Sequence, residues 1–209
     1  MDLEALNEIK KKALEEHIPI IMDETLEVIQ EYLEELKPKR ILEIGTAVGY
    51  SSCQFIRISS YGEQVQEQTQ VHIDTIELDD ERARIAKENI KKVGLEKNIN
   101  VITGNAVEIL PTLTGPYDVI FIDANKGKYP VFLKEALRMS RTGTIIFADN
   151  VLYKGYVLGD YNKHKQRTAV KHLREYLAEA ISNENLETQV STVGDGLAIS
   201  IVKSIEKNS

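Results

Sequence analysis

The sequence predicts an α/β fold in which a mostly parallel sheet carries helices on both faces and has an antiparallel strand near the C-terminus. Short runs rich in Ile, Val and Phe alternate along the chain with segments of helical periodicity. Strands of a parallel sheet are buried on both faces, so they are apolar along their whole length. The last two apolar runs are joined by Gly194-Asp195-Gly196, which is turn chemistry typical of an antiparallel hairpin.

The elements follow from the spacing of apolar residues. Between residues 2 and 36 these residues recur at intervals of three and four, which predicts two amphipathic helices separated near Pro19. The Gln-rich stretch at 62–70 is predicted as a surface loop, and the chain as one domain, 1–209, with N-terminal helices at 1–36 and a core at 37–209. Strands are predicted at 40–45, 71–78, 99–103, 117–123, 144–149, 187–193 and 197–203, and further helices at 46–57, 81–93, 106–110, 130–139 and 167–181.

Composition limits the classes of function. The 209 residues include 26 Lys and Arg against 33 Asp and Glu, a net charge of −7, which argues against a protein that coats nucleic acid or an anionic membrane by bulk charge. The single cysteine, Cys53, excludes an internal disulfide. Neither a signal peptide nor a run of about 18 apolar residues is present. We therefore expect a cytoplasmic protein that does not span a membrane.

The first three predicted strands end in residues that suit an adenosine-containing cofactor. Gly45 and Gly49 follow the first strand, Glu77 ends the second, and Asn105 and Ala106 follow the third. Ligands of open α/β sheets bind at these strand ends. Glycines allow close backbone approach, Glu77 can accept hydrogen bonds from a ribose diol, and small residues suit a purine. Each element alone has a simpler explanation, such as tight strand-to-helix packing, but their order on successive strands favours a cofactor site.

The glycine spacing favours S-adenosylmethionine over a dinucleotide. A dinucleotide fingerprint needs three glycines, G-x-G-x-x-G, to contact a pyrophosphate, whereas here position 47 is Ala. S-adenosylmethionine has no phosphate and fits the remaining pattern. An NAD-dependent oxidoreductase is a lower-ranked alternative, and a non-catalytic RNA- or partner-binding module is another.

The fourth and fifth predicted strands end in oxygen ligands. Asp123 follows one strand, and Asp149 and Asn150 follow the other. Hard oxygen donors suit Mg²⁺, while Mn²⁺ and Ca²⁺ remain open. The alternative is that each aspartate caps the following helix. Lys126 is the candidate general base, because a neighbouring divalent cation destabilises an ammonium group; the alternative is an ordinary exposed lysine.

Five segments together carry a resemblance to a known family: Ile41-Leu-Glu-Ile-Gly-Thr-Ala-Val-Gly-Tyr-Ser-Ser52, Thr75-Ile-Glu-Leu-Asp79, Phe121-Ile-Asp-Ala-Asn-Lys126, Ala148-Asp-Asn150 and Gly194-Asp-Gly-Leu-Ala198. Through them the sequence resembles the cation-dependent O-methyltransferases, the group that contains catechol and caffeoyl-CoA O-methyltransferases. The resemblance extends from about Ile18 to Lys203. It implies a Rossmann-like, seven-stranded S-adenosylmethionine methyltransferase sheet and, because family members are commonly dimers, a homodimer.

The resemblance also implies residue roles. It makes Asp123, Asp149 and Asn150 the metal ligands, Lys126 the base and Glu77 the ribose ligand. It places further cofactor contacts at Met22, Gly45, Tyr50, Ser52, Asn105 and Ala106, and it places Asp123 beside the methionine moiety. Two positions depart from the catechol enzyme, because Asn125 replaces an aromatic residue and Gln189 falls near a substrate-contacting glutamate.

Within the family, the lead-in His17-Ile-Pro-Ile-Ile-Met22 is most similar to bacterial members that convert 5-hydroxyuridine in tRNA to 5-methoxyuridine. 5-Hydroxyuridine offers a metal the same pair of adjacent oxygens as a catechol. We therefore predict the anticodon loop of tRNA as substrate, with a small catechol or caffeoyl-CoA-like molecule as the alternative. The segment Lys163–Arg174 contains five Lys and Arg and no acid, which suits RNA contact, although a solvated helix face explains it equally well.

Overall fold

The computed structural model describes residues 1–60, 70–159 and 166–203. Most of the predicted loop at 62–70, and Lys163–Lys165 of the basic segment, lie outside the described residues. The chain divides into two compact units, Met1–Ala106 and Val107–Ser209.

The elements are helices and strands in near-regular alternation. The helices are α1 Leu3–Glu15, α2 Asp23–Leu36, α3 Tyr50–Ser59, α4 Asp80–Val93, α5 Ala106–Ile109, α6 Tyr129–Arg138 and α7 Arg167–Ser182. The strands are β1 Arg40–Ile44, β2 His72–Glu77, β3 Ile99–Thr103, β4 Val119–Ile122, β5 Ile145–Ala148, β6 Leu186–Ser191 and β7 Leu197–Val202. Short 3₁₀ turns occupy Leu110–Thr112 and Lys126–Lys128. The seven strands form one sheet in the order β3-β2-β1-β4-β5-β7-β6, which confirms the predicted mixed fold.

In the first unit, β1, β2 and β3 pair in parallel, with Arg40 opposite His72 and Ile73 opposite Ile99. α1 packs on α3 and α4, and α2 packs on α3. Most of the predicted apolar residues of α1 and α2 are buried within this chain, whereas Leu3 and Leu14 of the predicted set are exposed. The buried ones are Leu6, Ile9, Leu26, Ile29 and Leu33. These residues therefore belong to the core.

In the second unit, β4 and β5 are parallel and β7 runs antiparallel to both β5 and β6. Gly194 and Gly196 have positive φ angles of 57° and 89°, which a glycine adopts without the steric cost that other residues meet. The hairpin predicted from these glycines is therefore confirmed. α6 packs on β4 and α7, and α7 packs on β6.

One predicted boundary was wrong. The helix predicted at 46–57 begins only at Tyr50, because the preceding turn contains residues in the left-handed region, Ala47 at φ 47° and Gly49 at φ 80°. Among residues 1–60, 70–159 and 166–203, no helix is both long enough and apolar enough to cross a membrane.

Candidate functional site

Two groups of candidate residues lie in the two units. We call Met22, Gly45, Tyr50, Ser52, Glu77, Asn105 and Ala106 the cofactor cluster; all seven belong to the first unit. We call Asp123, Lys126, Asp149 and Asn150 the acidic cluster; all four belong to the second.

The turn between β1 and α3 contributes backbone groups to the cofactor cluster. Gly45, at φ 107°, donates its N–H to the carbonyl of Ile76 at 3.0 Å. Gly49 precedes α3 without a side chain to cap it, and a Cβ there would lie 3.3 Å from Ile90. The turn therefore needs glycine, and the first N–H groups of α3 lack the side-chain acceptor that caps many helices.

Glu77 fastens this turn to the end of β2. Its side chain is buried, and its two carboxylate oxygens accept from the N–H of Ala47 at 2.8 Å and of Asp79 at 3.0 Å. Each carboxylate oxygen has two lone pairs. Both oxygens therefore keep acceptor capacity for a ligand diol while the backbone fixes their orientation. The Glu77 carbonyl also accepts from Gly104 at 2.8 Å, just before Asn105.

The remaining members of the cofactor cluster differ in exposure. Asn105 is exposed and Ala106 half-buried at the start of α5. Met22 is the N-cap residue of α2 and is 42% exposed. Tyr50 is buried, and its hydroxyl accepts from Gln54 at 2.8 Å.

Lys10 connects both N-terminal helices to Tyr50. Its Nζ on α1 donates to the Asp23 carboxylate at the start of α2 at 2.6 Å. The pKa of Lys10 is raised by this hydrogen bond first, and also by its interaction with Tyr50 at the start of α3.

Sequence reasoning missed the role of Glu43. This carboxylate is fully buried and accepts from the hydroxyls of Ser51 at 2.5 Å, Thr75 at 2.6 Å and Ser52. The Ser52 hydroxyl is thus directed at Glu43, which ties β1, β2 and α3 together behind the turn. A carboxylate within the apolar run Ile41–Ile44, followed by two serines, was the available signal.

The strand register brings the acidic cluster together. Ile122 of β4 pairs with Ala148 of β5, so Asp123 and Asp149 follow partners in register. The N–H of Asp149 donates to the Ile122 carbonyl at 2.9 Å. Asp149 is 2% exposed, Asp123 is half-buried, and Asn150 has a φ of 55°.

The helix-cap alternative does not describe these aspartates. The side chain of Asn125 caps the 3₁₀ turn Lys126–Lys128 by accepting from Gly127 at 2.9 Å. One Asp149 oxygen accepts from the N–H of the adjacent Asn150 at 2.7 Å.

Burial dominates the electrostatics of the two aspartates, and the charge of Asp123 adds to its effect on Asp149. Burial first, and then the charge of Asp123, raise the pKa of Asp149 to about 7 against the opposing effects of the Asn150 N–H and Lys126. Burial also raises the pKa of Asp123 against the effect of Lys126. The two carboxylates therefore lack sufficient compensating charge, and a cation bound between them would supply it.

The donor set suits a hard cation. Within the part of the chain that the structure describes, no group of three or more His, Cys, Asp and Glu side chains could hold a metal. The candidate set contains only two carboxylates, those of Asp123 and Asp149, together with the Asn150 amide. All three supply oxygen donors, and Mg²⁺ completes such a set with water and substrate oxygens.

Lys126 lies against this set. Its Nζ donates to the Asn150 amide oxygen at 3.0 Å and lies 5.8 Å from the centre of the Tyr153 ring. Behind the set, the buried Tyr129 hydroxyl donates to the Asp149 carbonyl at 2.8 Å. Tyr129 and Tyr153 were missed from the sequence, because nothing in their spacing distinguishes them from core or loop tyrosines.

Two cations of the described part of the basic segment, Arg174 and Lys171, contact groups of this chain. Arg174 donates to backbone carbonyls of residues 156, 157 and 159. Lys171 lies 3.6 Å from Glu175. These contacts weaken the case for RNA binding at this segment.

A family described as O-methyltransferase matches residues 2–203 of this chain. The chain belongs to the O-methyltransferase family. A catechol O-methyltransferase from Niastella koreensis is 38% identical over 175 residues, which are 79% of this chain and 74% of that protein.

Two solved structures are similar over nearly the whole chain. One, from Staphylococcus aureus and described provisionally as a caffeoyl-CoA O-methyltransferase, has a TM-score of 0.84 at 32% identity and covers 94% of this chain and 91% of its own. The other, an O-methyltransferase from Bacillus cereus in complex with SAH, has a TM-score of 0.82 at 27% identity and covers 97% and 92%. By family membership this chain is an O-methyltransferase, and the relatives that it resembles include proteins named for catechol and caffeoyl-CoA and one with SAH bound. Family membership favours this assignment over the oxidoreductase and non-catalytic alternatives.

Proposed function

We propose that the protein methylates one hydroxyl of a small molecule with two adjacent oxygens, such as a catechol, in a reaction that requires Mg²⁺. The observation that carries this proposal is the pair of aspartates at neighbouring strand ends, both with raised pKa values and with Lys126 beside them. The relative from Niastella koreensis supports an acceptor of the catechol type.

The cofactor cluster would bind S-adenosylmethionine, which supplies an electrophilic methyl group on its sulfonium. Glu77 would accept hydrogen bonds from the ribose diol with the acceptor capacity left on both oxygens. Asn105 and Ala106 would contact the purine, and Gly45 would allow close backbone approach. Met22 would line the remaining cofactor surface, with Asp123 beside the methionine moiety. Tyr50 and Ser52 are buried and would support this surface from behind, Ser52 through its hydrogen bond to Glu43.

In the acidic cluster, Asp123, Asp149 and Asn150 would hold Mg²⁺, which acidifies a hydroxyl of the acceptor when bound. Lys126 would accept the hydroxyl proton at Nζ. The Asn150 amide oxygen holds this Nζ at 3.0 Å and so fixes the position of the base. The chain would contribute chiefly by positioning and by preorganised charge. Mn²⁺ or Ca²⁺ in place of Mg²⁺ would use the same oxygen donors.

The test compares 3,4-dihydroxybenzoate with 4-hydroxybenzoate, which lacks the adjacent hydroxyl. With S-adenosylmethionine and Mg²⁺ we expect methylation of the diol alone, detected by mass spectrometry, and loss of turnover with excess EDTA or in Asp149→Asn. Equal methylation of both acceptors, or full activity in EDTA, would contradict the proposal. Replacing Mg²⁺ by Mn²⁺ or Ca²⁺ ranks the metals.

The anticodon loop of tRNA is a second candidate acceptor, supported by the lead-in His17–Met22 and by the adjacent oxygens of 5-hydroxyuridine. It ranks below a catechol, because Arg174 and Lys171 already have partners in the chain. The test is nucleoside mass spectrometry of tRNA containing 5-hydroxyuridine after incubation with the enzyme. Formation of 5-methoxyuridine at a higher kcat/KM than diol methylation would reverse the ranking.

Three organisational features complete the proposal. We propose that residues 1–209 act as one methyltransferase domain. We also propose a homodimer and a cytoplasmic location. Sedimentation velocity of the purified chain tests the dimer, and a single mass near 23.6 kDa would contradict it.

A further inference from the structure

We propose that Arg174 is a positioning residue that holds the turn segment 151–159 in place and thereby keeps Tyr153 and Asn150 beside Lys126. The proposal deepens the function proposed above and rests on it for the role of the acidic cluster. It assigns a structural role to Arg174, one of the cations of the basic segment.

The Arg174 side chain donates hydrogen bonds to three backbone carbonyls at the end of the turn segment. Its Nε donates to Val157 at 3.0 Å, and one terminal nitrogen donates to Gly159 at 2.5 Å and to Tyr156 at 3.4 Å. These bonds use donors on two nitrogens of a planar guanidinium, whereas a lysine ammonium carries its three N–H donors on a single nitrogen and cannot reproduce this fork. Helix α7 thus fixes the far end of the segment through one residue.

The near end of the segment is fixed by the hairpin turn between β6 and β7. Val151 donates to the Gly196 carbonyl at 2.9 Å, Leu152 donates to the Asp195 carbonyl at 3.0 Å, and Lys154 donates to the Asp195 carboxylate. A Cβ on Gly196 would lie 2.3 Å from the Leu152 side chain. This close packing restricts movement of the near end. The mobility of the segment therefore depends on how well its far end is held.

The backbone is strained near the start of the turn segment. Tyr153 and Lys154 have φ angles of 46° and 56°, and Asn150, just before the segment, has a φ of 55°. This left-handed region is unfavourable for most residues with a side chain, although Asn tolerates it better. Tyr153 also packs edge-on against Tyr156, at 5.8 Å between ring centres. The carbonyl of Tyr156 is one of the acceptors of Arg174, so the guanidinium restrains the residue against which Tyr153 rests.

Lys171 provides a matched control on the same helix. Its side chain is 71% exposed and lies 3.6 Å from Glu175, one turn along the same helix. A surface that binds RNA by charge would depend on both cations, whereas a restraint on the turn segment depends on Arg174 alone.

The first experiment is hydrogen–deuterium exchange of the full-length protein, read by mass spectrometry on peptides that cover the turn segment. Arg174→Met removes the donors and keeps an apolar stem, and Arg174→Lys keeps the charge without the planar fork. We expect both variants to exchange faster by about tenfold or more at the amides of Tyr156, Val157 and Leu158, with α7 and the melting temperature unchanged, and Lys171→Met to exchange like the wild type. Wild-type exchange of the segment in Arg174→Met would overturn the proposal.

The second experiment is steady-state kinetics with the diol acceptor. In Arg174→Lys we expect kcat/KM for the acceptor to fall by about ten- to a hundredfold, while the Kd of S-adenosylmethionine stays within twofold, because misplacement near 1 Å costs rates of this order. An equal fall in Lys171→Met would overturn the proposal in favour of a charged surface. Exchange needs no acceptor, so an inactive wild type would contradict the proposed function without altering the test of Arg174.

Discussion

Replacing Asp149 with Asn should stabilise the metal-free protein at pH 8 although it removes a proposed metal ligand. The Asp149 carboxylate is 2% exposed and shares its surroundings with the charge of Asp123. Asn keeps an oxygen for the N–H of Asn150, which now donates at 2.7 Å. The substitution therefore removes a buried charge while it retains the shape and the main hydrogen bond.

The magnitude follows from the pKa. In the unfolded chain the carboxyl ionises near 3.8, whereas in the folded chain its pKa is about 7. Between these two pH values the folded state binds more protons at Asp149 than the unfolded state does. The contribution of Asp149 to stability is therefore most favourable below about pH 4 and becomes less favourable as the pH rises to about 7. At about 1.4 kcal/mol per tenfold change in proton affinity, the ionised form costs the folded state about 4 kcal/mol above pH 7.

The assay is chemical denaturation in EDTA between pH 5 and pH 8. We expect ionisation of Asp149 to lower the free energy of unfolding of the wild type by roughly 2 to 3 kcal/mol over this pH range. Asp149→Asn should lose that decline and exceed the stability of the wild type by up to about 4 kcal/mol at pH 8. Mg²⁺ at about 100 times its Kd should raise the free energy of unfolding of the wild type by roughly 2.7 kcal/mol and leave that of Asp149→Asn unchanged. Glu184→Gln, at an exposed position, serves as control. A variant no more stable than the wild type at pH 8 would refute the reasoning.

Three further substitutions test other parts of the site. Lys126→Met should lower kcat by about 10²- to 10⁴-fold, the usual contribution of a general base, with the Kd of S-adenosylmethionine unchanged by calorimetry; retained kcat would exclude Lys126 as the base. Glu77→Ala should raise that Kd by about ten- to a hundredfold, because hydrogen bonds to a charged acceptor are each worth about 1.5–3 kcal/mol, and an unchanged Kd would remove Glu77 from the cofactor site. Glu43→Ala should destabilise the protein by about 3 kcal/mol or more in denaturation, since it leaves three hydroxyl groups without their buried acceptor; a loss below 1 kcal/mol would contradict this role.

Much of the fold could be predicted because each element carries its own pattern. The apolar runs placed all seven strands, and Gly194-Asp195-Gly196 predicted the antiparallel hairpin that the structure confirms. The start of α3 could not be predicted in the same way. No proline marks the boundary at residues 46–49, and the positive φ angles of Ala47 and Gly49 in the structure exclude these residues from the helix.

The candidate site was predictable where residues follow strand ends, and less so where side chains act through other groups. Strand register alone brings Asp123 and Asp149 to adjacent positions. The acceptors of Arg174 are backbone carbonyls 15 to 18 residues away in the chain. Every residue has a backbone carbonyl, so the sequence does not show which of them accept from Arg174. Arg174 therefore looked like one more cation in a basic segment.

The strand order of the second unit has a consequence for how the acidic cluster is made in the cell. β5, which ends beside Asp149, pairs with β7, the last strand in the sequence, rather than with β6. A growing chain therefore presents the fully apolar edge of Ile145–Ala148 until residues 197–202 have been synthesised. During that interval the edge is open to pairing with other chains. Translation pauses between these two strands should accordingly lower the yield of folded enzyme more than pauses after residue 202.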